Sequence, residues 1–450
     1  MKILVCVKII KGDVNPFDEC ALEAALRLSD DVTVLSMGPV SCREPLQKLT
    51  RLGARCILLS DSDFAGSDTL ATSYILSEAA KKAGFDLIIC GRQSIDGDTG
   101  QVGAMMSHML DIRLYPFVTK LEGLRAHMRS GKTEDIKLPA LITVERINTL
   151  RFPSIRSRAG EVTVWDNSVL GADRERCGIS GSPTRVIKSF ENESGKRHCR
   201  FIKLSELDEI IKNYRRKPRA VRESHGKLKK VWCVGEEAAA EALCISDDIK
   251  VLEENNPLLI AKYAKEEKPN AILWKADLEG RTAAPICAAE LSAGLCADCT
   301  ELETDGETLF MYRPAGSGKI YAKIKCITAP CLATVRTAAL GGRITVSAGK
   351  GAKDALEAVH TFAKKYGADF GASRAAVDMG LAPYEAQIGL TGKSISSDIY
   401  IAVGISGAVQ HMCAAEGCGL IIAVNSDKNA DIFDYADIGI VCDAERLRDI

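Results

Sequence analysis

A run of small residues directly after a strand-like segment is the feature of this 450-residue chain that best suits anion binding. The apolar segment Ile399–Val403 leads into Gly404-Ile405-Ser406-Gly407, and a helical pattern begins at Ala408. Backbone N–H groups at the start of a helix have no acceptor within the helix, so a phosphate can bind where small side chains let it approach.

Polar residues close the next two strand-like segments. Asn425 follows the apolar run Leu420–Val424, and Asp443 follows Ile438–Val441. In an open parallel sheet, the carboxyl ends of the strands border one crevice in which ligands bind. The pattern predicts a nucleotide site, although the sequence holds no GxGxxG fingerprint.

A second glycine-containing loop, Gly91–Gly103 with the sequence GRQSIDGDTGQVG, is a further candidate phosphate site. Gly97 and Gly100 would let a ligand approach the backbone, and Thr99 offers a hydroxyl before a predicted helix. The two acids of the loop would repel a phosphate unless geometry or a cation offsets them. From the residues alone, a structural loop and a phosphate site are equally compatible with this segment.

Other short motifs are set aside. The fragments Gly316–Lys319 and Thr391–Ser394 resemble a Walker A motif, but Arg313 and Gln387 stand where its first glycine is required. The Cys296-Ala-Asp-Cys299 pair has no second CxxC and no His at zinc spacing, so a structural role is favoured and no metal is expected.

The composition excludes several classes of function. The 59 basic and 60 acidic residues nearly balance, so no basic field favours nucleic acid. The start MKILVCVKII lacks the apolar region of a signal peptide, and no apolar run is long enough to span a membrane. The 17 cysteines are scattered rather than spaced as a disulfide framework. We therefore expect a soluble, cytoplasmic protein.

Strand-like and helix-like segments alternate in the first third of the chain. The predicted strands are Lys2–Val7, Asp31–Ser36, Cys56–Leu59 and Asp86–Cys90, and the predicted helices include Glu19–Leu28 and Ser67–Lys82. This alternation predicts an α/β domain with a largely parallel sheet.

The same build recurs later in the chain. Pro269–Trp274, followed by a helix from Thr282, is similar to Phe85–Cys90, followed by a helix from about Gln101. Likewise, Cys331-Leu-Ala-Thr-Val-Arg is similar to Ala140-Leu-Ile-Thr-Val-Glu-Arg. The sequence thus predicts two similarly built α/β halves.

The segment 181–230 lies between these halves. It is polar and basic and contains one predicted helix, Leu204–Tyr214, so a solvated arm and linker is favoured. The predicted division of the chain is 1–180, the linker at 181–230, a second half at 231–340 and a nucleotide-binding domain at 341–450.

The C-terminal segments resemble the FAD-binding domain of electron transfer flavoprotein alpha subunits. The matching motifs are SRAAVD, QIGLTGK and YIAVGISGAVQH, and EGRTAAPICAAELSAGLCADCTEL and YRPAGSGKIYAKI extend the likeness to residues from about 230. Residues 1 to about 214 resemble the beta subunit through VNPFDECALEAALRL, GRQSIDGDTGQVG, LPALITVERIN, RFPSI and GISGSPTRV.

The resemblance implies a beta–alpha fusion. Its fold would be two similar adenine-nucleotide-hydrolase-like α/β halves plus a C-terminal doubly wound parallel-sheet FAD domain. Three departures stand out: a shortened start of the alpha-like half, SIRSRAGEV in place of a lysine-rich partner-recognition loop, and NSDKNADIF without the family's proline.

The resemblance also implies the residues of a C-terminal FAD site. They are Arg374, Thr391, Gln410 and His411 at the flavin ring, Ser406 and Gly407 at the pyrophosphate, Asn425 and Asp437 at the adenosine end, and in addition Lys350, Ser373, Gln387, Gly389 and Gly392. An arginine and an imidazole donor near the ring would stabilise the negative charge of a reduced flavin. Leu390 stands where the family has Gln, and Lys350 stands where it has Arg.

The beta subunit of the family binds AMP or a second FAD at the loop that corresponds to Gly91–Gly103. The order GRQ…DGDT…QVG resembles electron-bifurcating members, which favours a second FAD and NADH as the electron donor. The implied residues are Cys6, Lys8, Asn15, Ser36, Asp96, Gly97, Asp98, Thr99, Gln101 and Val102.

The resemblance therefore implies an electron carrier. FAD would carry electrons between a flavoprotein dehydrogenase of the acyl-CoA type and another redox partner such as ferredoxin or flavodoxin. In an electron-bifurcating member, NADH would in addition supply the electrons. The alternatives are a carrier with one FAD and one AMP, and a nucleotide-binding sensor without a redox role. The flavin domain of the family swivels, and the joints are expected near Gly341-Gly342 and within 181–230.

Overall fold

The computed structural model describes residues 1–191, 196–216, 224–316 and 318–450. Part of the predicted linker (192–195 and 217–223) and Ser317 of the Gly316–Lys319 fragment lie outside the described residues. The chain forms two compact units: the first is Met1–Lys188, Glu223–Gly316 and Ala322–Val335, and the second is Ser189–Arg222, Ser317–Tyr321 and Arg336–Ile450. Among the described residues, none of the helices has both the length and the apolar character needed to cross a membrane.

A nine-stranded sheet organises the first part of the chain. The elements up to residue 191 are β1 (Ile3–Cys6), β2 (Ile9–Ile10), β3 (Asp13–Val14), α1 (Pro16–Leu28), β4 (Val32–Met37), α2 (Arg43–Thr50), β5 (Arg55–Leu59), α3 (Thr69–Ala83), β6 (Leu87–Gly91), α4 (Val102–Met109), β7 (Arg113–Glu122), β8 (Arg125–Met128), β9 (Thr133–Asp135), β10 (Ala140–Val144), β11 (Val162–Trp165), α5 (Asn167–Leu170) and β12 (Thr184–Glu191). The strand order is β11-β5-β4-β1-β6-β10-β7-β8-β9. Pairing is parallel from β11 to β7 and antiparallel from β7 to β9, so the predicted parallel α/β domain is confirmed.

A smaller parallel sheet follows. The elements between residues 200 and 335 are β13 (Arg200–Phe201), α6 (Leu207–Asn213), β14 (Val231–Val234), α7 (Glu236–Ala242), β15 (Ile249–Leu252), α8 (Pro257–Glu267), β16 (Ala271–Lys275), α9 (Gly280–Leu291), β17 (Leu295–Cys299), β18 (Glu301–Thr304), β19 (Leu309–Ala315), β20 (Ile320–Cys326) and β21 (Cys331–Val335). Five of these strands form a sheet in the order β15-β14-β16-β21-β17.

The two α/β halves of the first unit repeat one topology. The order β4-β1-β6-β10-β7 is the same as β15-β14-β16-β21-β17 when the strands are matched in chain order. A local irregularity is repeated as well, since the Thr143 hydroxyl accepts the Phe117 N–H at 2.9 Å and the Thr334 hydroxyl accepts the Asp298 N–H at 2.9 Å. The predicted pair of similar halves is therefore confirmed.

A seven-stranded sheet forms the centre of the second unit. The elements from residue 338 are β22 (Ala338–Leu340), β23 (Ile344–Ala348), α10 (Leu356–Lys365), β24 (Asp369–Ser373), α11 (Arg374–Asp378), β25 (Gln387–Ile388), β26 (Ser394–Ile395), β27 (Ile399–Val403), α12 (Val409–Met412), β28 (Leu420–Asn425), α13 (Ile432–Tyr435) and β29 (Ile438–Val441). The order is β13-β29-β28-β27-β23-β24-β25, and every described pair is parallel. The residues of β27 are buried on both faces, as expected for a strand inside a parallel sheet.

The described part of 181–230 differs from the solvated linker that its composition predicts. Strand β13 adds an edge to the seven-stranded sheet, and Leu207 and Ile211 of α6 are buried in its hydrophobic core. Arg216 donates hydrogen bonds to the carbonyl oxygens of Ser396 at 2.6 Å and Gly417 at 2.7 Å. Residues 196–216 are thus part of the second unit, because three apolar side chains of α6 and the turn before it outweigh the basic character of the segment.

Candidate functional site

Several predicted site residues lie at one edge of the seven-stranded sheet. Ser373 ends β24, Lys350 follows β23, Gly404 follows β27, and Asn425 ends β28. These positions share an edge because the strands are parallel, and the carboxyl edge of such a sheet is where ligands bind.

Glycines let the loops at this edge touch. A Cβ at Gly349 would lie 2.1 Å from the carbonyl oxygen of Gly404, and a Cβ at Gly404 would lie 2.5 Å from the Ala352 nitrogen. Gly407 has a φ of +97°, and its Cβ would lie 2.2 Å from the Ile432 nitrogen. Only glycine fits at these three positions without movement of the backbone.

The loop after β27 presents a run of backbone donors. Within the described part of the chain, the N–H groups of Ile405–Gln410 have no protein acceptor. The predicted helix from Ala408 is a single turn, because the Ala414 N–H bonds to His411 and the Gln410 carbonyl instead accepts the Leu390 N–H at 2.6 Å. Six consecutive donors without a protein acceptor are suited to binding an anion.

The QIGLTGK loop is held against this run. The Gln387 side chain is 1% exposed, and its Nε2 donates to the Thr391 hydroxyl at 2.8 Å. Its Oε1 is buried and has no partner among the described residues. Gly389 has a φ of +146°, and a Cβ at Gly392 would lie 2.2 Å from the Gln387 carbonyl oxygen. A buried carboxamide oxygen without a donor indicates that a further group belongs beside it.

His411 is a buried residue of α12. Its Nδ1 lies 3.1 Å from the Ile388 carbonyl oxygen, and its Nε2 lies 2.5 Å from the Tyr400 hydroxyl. Burial lowers the pKa of His411 to about 4. Both ring nitrogens therefore have protein partners and the ring is uncharged near neutral pH. The contact of His411 with the flavin ring stays a prediction.

Two of the predicted site residues at the carboxyl edge, Arg374 and Lys350, are cationic. Arg374 begins α11, and its Nε lies 3.5 Å from Asp378 with 37% of its side chain exposed. The hydroxyl of Ser373 caps the same helix by accepting the Ala376 N–H at 3.3 Å. Lys350 is exposed at the start of a 3₁₀ turn. Arg374 is thus available to a ligand, whereas Ser373 holds the helix that carries it.

Asp437, which is predicted to lie at the adenosine end, is at the opposite edge of the sheet from Asn425. It precedes β29, and its carboxylate accepts the Ile421 N–H at 2.8 Å and bonds to Arg197. The four residues of β29 separate Asp437 from the carboxyl edge. At the usual rise per residue of a β-strand, this is a distance of about 13 Å. Asp443 follows β29 on the same side as Asn425, which makes it the acid that the sheet polarity favours.

Asn425 shapes the loop after β27. Its Nδ2 donates to the Ile405 carbonyl oxygen at 3.0 Å, and its Oδ1 accepts the Asp427 N–H at 2.9 Å. This side chain fixes the run of donors and has one amide hydrogen left for a ligand.

The second candidate loop, Gly91–Gly103, follows β6 in the first unit. The charge of Asp96 is offset by Lys8, whose Nζ lies 2.7 Å from its carboxylate. Burial raises the pKa of Asp96, but hydrogen bonds from Lys8 and Ser94 outweigh it, so the pKa is lowered overall. Asp98 is 5% exposed and accepts a hydrogen bond from Gln93 at 3.0 Å. The ion pair with Lys8 thus answers the objection for Asp96, whereas Asp98 accepts from a neutral carboxamide.

Asn15 and Asp18 tie this loop to the start of the chain. Asn15 donates to the Gln93 carbonyl at 2.9 Å and accepts the Ile95 N–H at 3.2 Å. Asp18, which the sequence reading missed, accepts the Lys8 N–H at 2.8 Å. Burial raises the pKa of Asp18 to about 7, although hydrogen bonds from Lys8, Asn15 and Gly91 oppose this.

The remaining predicted residues of the second site have mixed surroundings. Ser36 is fully buried, and its hydroxyl has no partner in the described residues. Cys6 ends β1 beside Cys90. Gln101 accepts from the Thr69 hydroxyl at 2.6 Å and donates to the Leu295 carbonyl at 3.3 Å, so it faces the protein interior. The other residues of the set are Gly97, Thr99 and Val102, which are half-buried.

Arg313 is a residue near this loop that the sequence reading did not assign. It is 4% exposed and donates to the Gly97 carbonyl oxygen at 2.7 Å, although the two residues are 216 positions apart. Its Nε and second terminal nitrogen are buried without a partner in the described chain. A buried guanidinium with unused donors favours an anion beside it. In the sequence, only the position of Arg313 within the family-like segment YRPAGSGK could have suggested a functional role for it.

Two family models match the chain. The electron transfer flavoprotein domain matches residues 3–170 and 224–363, and the electron transfer flavoprotein FAD-binding domain matches residues 341–416. The first model alone covers more than half of the chain, which establishes the family.

Curated relatives match the amino-terminal half. Electron transfer flavoprotein subunit beta of Megasphaera elsdenii is 38% identical over 235 residues, which cover 42% of this chain and 87% of that protein. Protein FixA of Azorhizobium caulinodans is 37% identical over 219 residues, or 43% of this chain and 78% of that protein. The caffeyl-CoA reductase-Etf complex subunit CarD of Acetobacterium woodii is 37% identical over 195 residues, or 39% of this chain and 74% of that protein. The chain belongs to the electron transfer flavoprotein family, with a beta-subunit-like half fused ahead of an alpha-type FAD-binding domain.

Proposed function

We propose that this chain carries electrons between a flavoprotein dehydrogenase and a second redox partner through FAD at the carboxyl edge of the seven-stranded sheet. The observation that supports this most is the run of six unpartnered N–H groups at Ile405–Gln410, beside the buried unpartnered oxygen of Gln387. The first feature suits a pyrophosphate and the second suits a donor group of a flavin ring.

The residues of this chain bind and orient the cofactor in this proposal. Ser406 and Gly407 hold the pyrophosphate, Asn425 and Asp443 contact the adenosine end, and Arg374 lies near the ring. When bound, FAD supplies the electron chemistry. Arg374 stabilises negative charge on the ring, while the buried loops exclude water from it.

For the second site we infer a second FAD rather than AMP. The support is DGDT within the Gly91–Gly103 loop, together with the unused donors of Arg313 beside Gly97. Two flavins would let a hydride from NADH be divided as single electrons between two acceptors. The CarD relative belongs to a complex named for a CoA-ester reductase and an Etf, which supports a dehydrogenase of the acyl-CoA type as one partner. Ferredoxin or flavodoxin would be the other.

The nucleotide content of the purified protein tests these proposals. Anaerobic denaturation should release two FAD and no AMP per chain, and NADH should bleach the flavin absorbance. One FAD and one AMP, without bleaching by NADH, would leave the simple one-flavin carrier. Protein without any flavin absorbance after reconstitution with FAD would leave only the nucleotide-binding sensor.

A further inference from the structure

Two cysteines of the first unit flank a short connection between strands. Cys326 ends β20 and Cys331 begins β21, and Ile327 in the connection between them is 57% exposed. Cys326 itself is 8% exposed, and Cys331 is 3% exposed. The Cys331 thiol donates a hydrogen bond to Sγ of Cys326, so the two sulfur atoms are neighbours.

Sγ of Cys326 is surrounded by hydrogen-bond donors. The Thr328 hydroxyl lies 3.1 Å from this sulfur. The same hydroxyl accepts the Gly294 N–H at 2.9 Å, so its own hydrogen is free to point at Cys326. The Gly294 N–H also bonds to Cys326, and a side chain would prevent this approach, because a Cβ at Gly294 would lie 2.4 Å from Sγ. Donors in this arrangement stabilise a negatively charged sulfur.

These donors change the protonation state of Cys326. Burial raises the pKa of Cys287, a thiol of the same α/β half, to about 12. The pKa of Cys326 is instead lowered to about 6, because the bond from Cys331 and those from the other donors outweigh burial. As a thiol, Cys326 could donate to the Thr328 carbonyl oxygen at 3.5 Å, but this is one long contact against several donors. Cys326 is therefore a thiolate near neutral pH, which is the nucleophilic form of cysteine.

We propose that Cys326 and Cys331 form an oxidation site for hydroperoxides, in which Cys326 is the attacking sulfur and Cys331 is the thiol that converts the product to a disulfide. A hydroperoxide is small enough to reach a sulfur that keeps part of its surface exposed. The site lies within the first unit and its chemistry does not involve FAD, so the proposal goes beyond the electron-carrier function.

The reaction takes place in two steps. The Cys326 thiolate attacks one oxygen of hydrogen peroxide, the O–O bond breaks, and the other oxygen leaves as hydroxide and takes up a proton to become water. Cys326 is then a sulfenic acid. Cys331 loses its proton and attacks Sγ of Cys326, so that the S–S bond forms, the S–O bond breaks and a second water leaves. Two thiols thereby lose two electrons and two protons, and one peroxide becomes two waters.

The Cys296-Ala-Asp-Cys299 pair is the alternative dithiol of this region. Both of its thiols interact electrostatically with Cys331. Sγ of Cys299, however, donates to the Cys296 carbonyl oxygen at 3.6 Å, and burial raises the pKa of Cys299 well above its usual value. In the described chain, no three His, Cys, Asp or Glu side chains are arranged to hold a metal ion. The chemistry therefore favours oxidation of the Cys326–Cys331 pair rather than of the CxxC pair.

Peptide mapping of the full-length protein tests the proposal directly. The anaerobic protein is treated with equimolar hydrogen peroxide at pH 7, its remaining thiols are alkylated with iodoacetamide, and it is digested with trypsin. Cleavage after Lys325 and Arg336 releases both cysteines of the pair in one peptide, 326–336. This peptide should be unalkylated and lighter by two hydrogen atoms, whereas Cys296 and Cys299 should both be alkylated.

The rate of alkylation without peroxide, followed from pH 5 to 9, reports the thiolate. The rate at Cys326 should reach half of its maximum near pH 6. In Cys331→Ala this midpoint should rise by about one pH unit or more, the usual weight of one hydrogen bond to a charged group. Peroxide should leave this variant with a sulfenic acid at Cys326, which dimedone traps. Cys287→Ala is the matched control, because it removes a buried thiol of the same half and should keep both the midpoint and the disulfide.

Three results would overturn the proposal. The first is a midpoint for Cys326 near about 8.5, the ordinary value for a thiol. The second is oxidation of the Cys296–Cys299 pair ahead of Cys326 and Cys331. The third is a wild-type Cys326 that stops at the sulfenic acid, because Cys331 would then not form the disulfide. Neither measurement detects FAD, so a protein that lacks flavin would refute the proposed function and leave this test intact.

Discussion

Arg374 is a cationic side chain available at the carboxyl edge, at the start of α11. We expect Arg374→Ala to lower the midpoint potential of the bound FAD by about 10–30 mV, because a positive charge near the ring favours the reduced form. The effect is modest because 37% of the side chain is exposed to solvent. A spectroelectrochemical titration measures it. Lys364→Ala, which removes an exposed charge from the last turn of α10, should leave the potential unchanged; an equal shift in both variants would remove Arg374 from the ring environment.

The two candidate acids of the adenosine end can be separated by experiment. Asp443→Ala should weaken FAD binding about tenfold, as expected for a hydrogen bond to a carboxylate. Because the Asp443 carboxylate also accepts the Glu445 N–H at 2.9 Å in an exposed terminal turn, the variant should lower the melting temperature slightly. Asp437→Ala should lower the melting temperature more, because Asp437 bonds to the Ile421 N–H and to Arg197. FAD fluorescence and thermal unfolding are measured for both. Loss of FAD affinity in the Asp437 variant alone would restore the original assignment.

Asp18 gives the first unit a pH dependence whose sign can be stated. Its pKa in the folded chain is raised by burial to about 7, so the folded state binds the proton more tightly than the unfolded state. This contribution to stability is full below about pH 4 and is lost as pH rises toward 7, at up to about 1.4 kcal/mol per pH unit. The free energy of unfolding of wild type minus that of Asp18→Asn should therefore fall between pH 4.5 and 7.5 in urea denaturation. A difference that does not change between pH 4.5 and 7.5 would show that Asp18 is ionised in the folded protein throughout.

At the level of elements, the buried strands could be predicted from sequence and the loop geometry could not. The predicted Ile399–Val403 and Ile438–Val441 match β27 and β29, because fully buried parallel strands are short, unbroken apolar runs. The helix predicted from Ala408 became one turn, since the Gln410 carbonyl bonds to Leu390, 20 positions earlier in the chain. Such a competing bond leaves no trace in local sequence.

The sequence does not show at which edge of a sheet a residue lies, or which distant residues it contacts. Asp437 and Asp443 flank the same strand, and only the polarity of β29 decides which of them reaches the carboxyl edge. Arg313 meets Gly97 across 216 positions, which no periodicity could indicate. The composition of residues 200–213 predicts a linker because most of these residues are charged or polar. The few apolar residues among them nevertheless pack into the core.

The loop after β27 gives a prediction at the same scale. In Gly407→Ala, the new Cβ would meet the Ile432 nitrogen at 2.2 Å at a φ of +97°, so the loop must move. We expect the variant to lose FAD and to be destabilised by more than the about 1 kcal/mol typical of a strained backbone. Gly367→Ala is the control, because its φ is +58° and nothing lies within 4 Å of its Cβ. If the two variants bind FAD equally well, the geometry of this loop does not hold the cofactor.

At the scale of the whole molecule, two exposed apolar side chains are candidates for the surface that docks a redox partner. Phe152 and Ile155 are 95% and 99% exposed. Ile155 lies in the SIRSRAGEV segment, and Phe152 lies two residues before that segment begins. Exposed apolar side chains of this size favour a protein contact. We expect Phe152→Ala with Ile155→Ala to slow electron transfer to the partner dehydrogenase at least tenfold without changing the flavin spectrum, in a stopped-flow assay. Leu243→Ala, at 65% exposure, should have no effect. Unchanged transfer in the double variant would place the docking surface elsewhere.

Whether the molecule holds one flavin or two depends on the Gly91–Gly103 loop, and Gly97 offers a selective test. A Cβ there would meet only the Ser94 hydroxyl at 3.6 Å, an ordinary contact, so the fold itself tolerates a side chain at this position. A bound phosphate near this backbone would not, because the valine would occupy its place. Gly97→Val should therefore release one nucleotide per chain, abolish bleaching by NADH and leave the C-terminal FAD in place. Gly341→Val, where nothing lies within 4 Å of the new Cβ, should keep the full nucleotide content. If Gly97→Val retains every nucleotide, the Gly91–Gly103 loop has a structural role and binds none of them. If the variant releases AMP rather than FAD, the protein is a single-flavin carrier, because no second flavin is present to divide the electrons of a hydride.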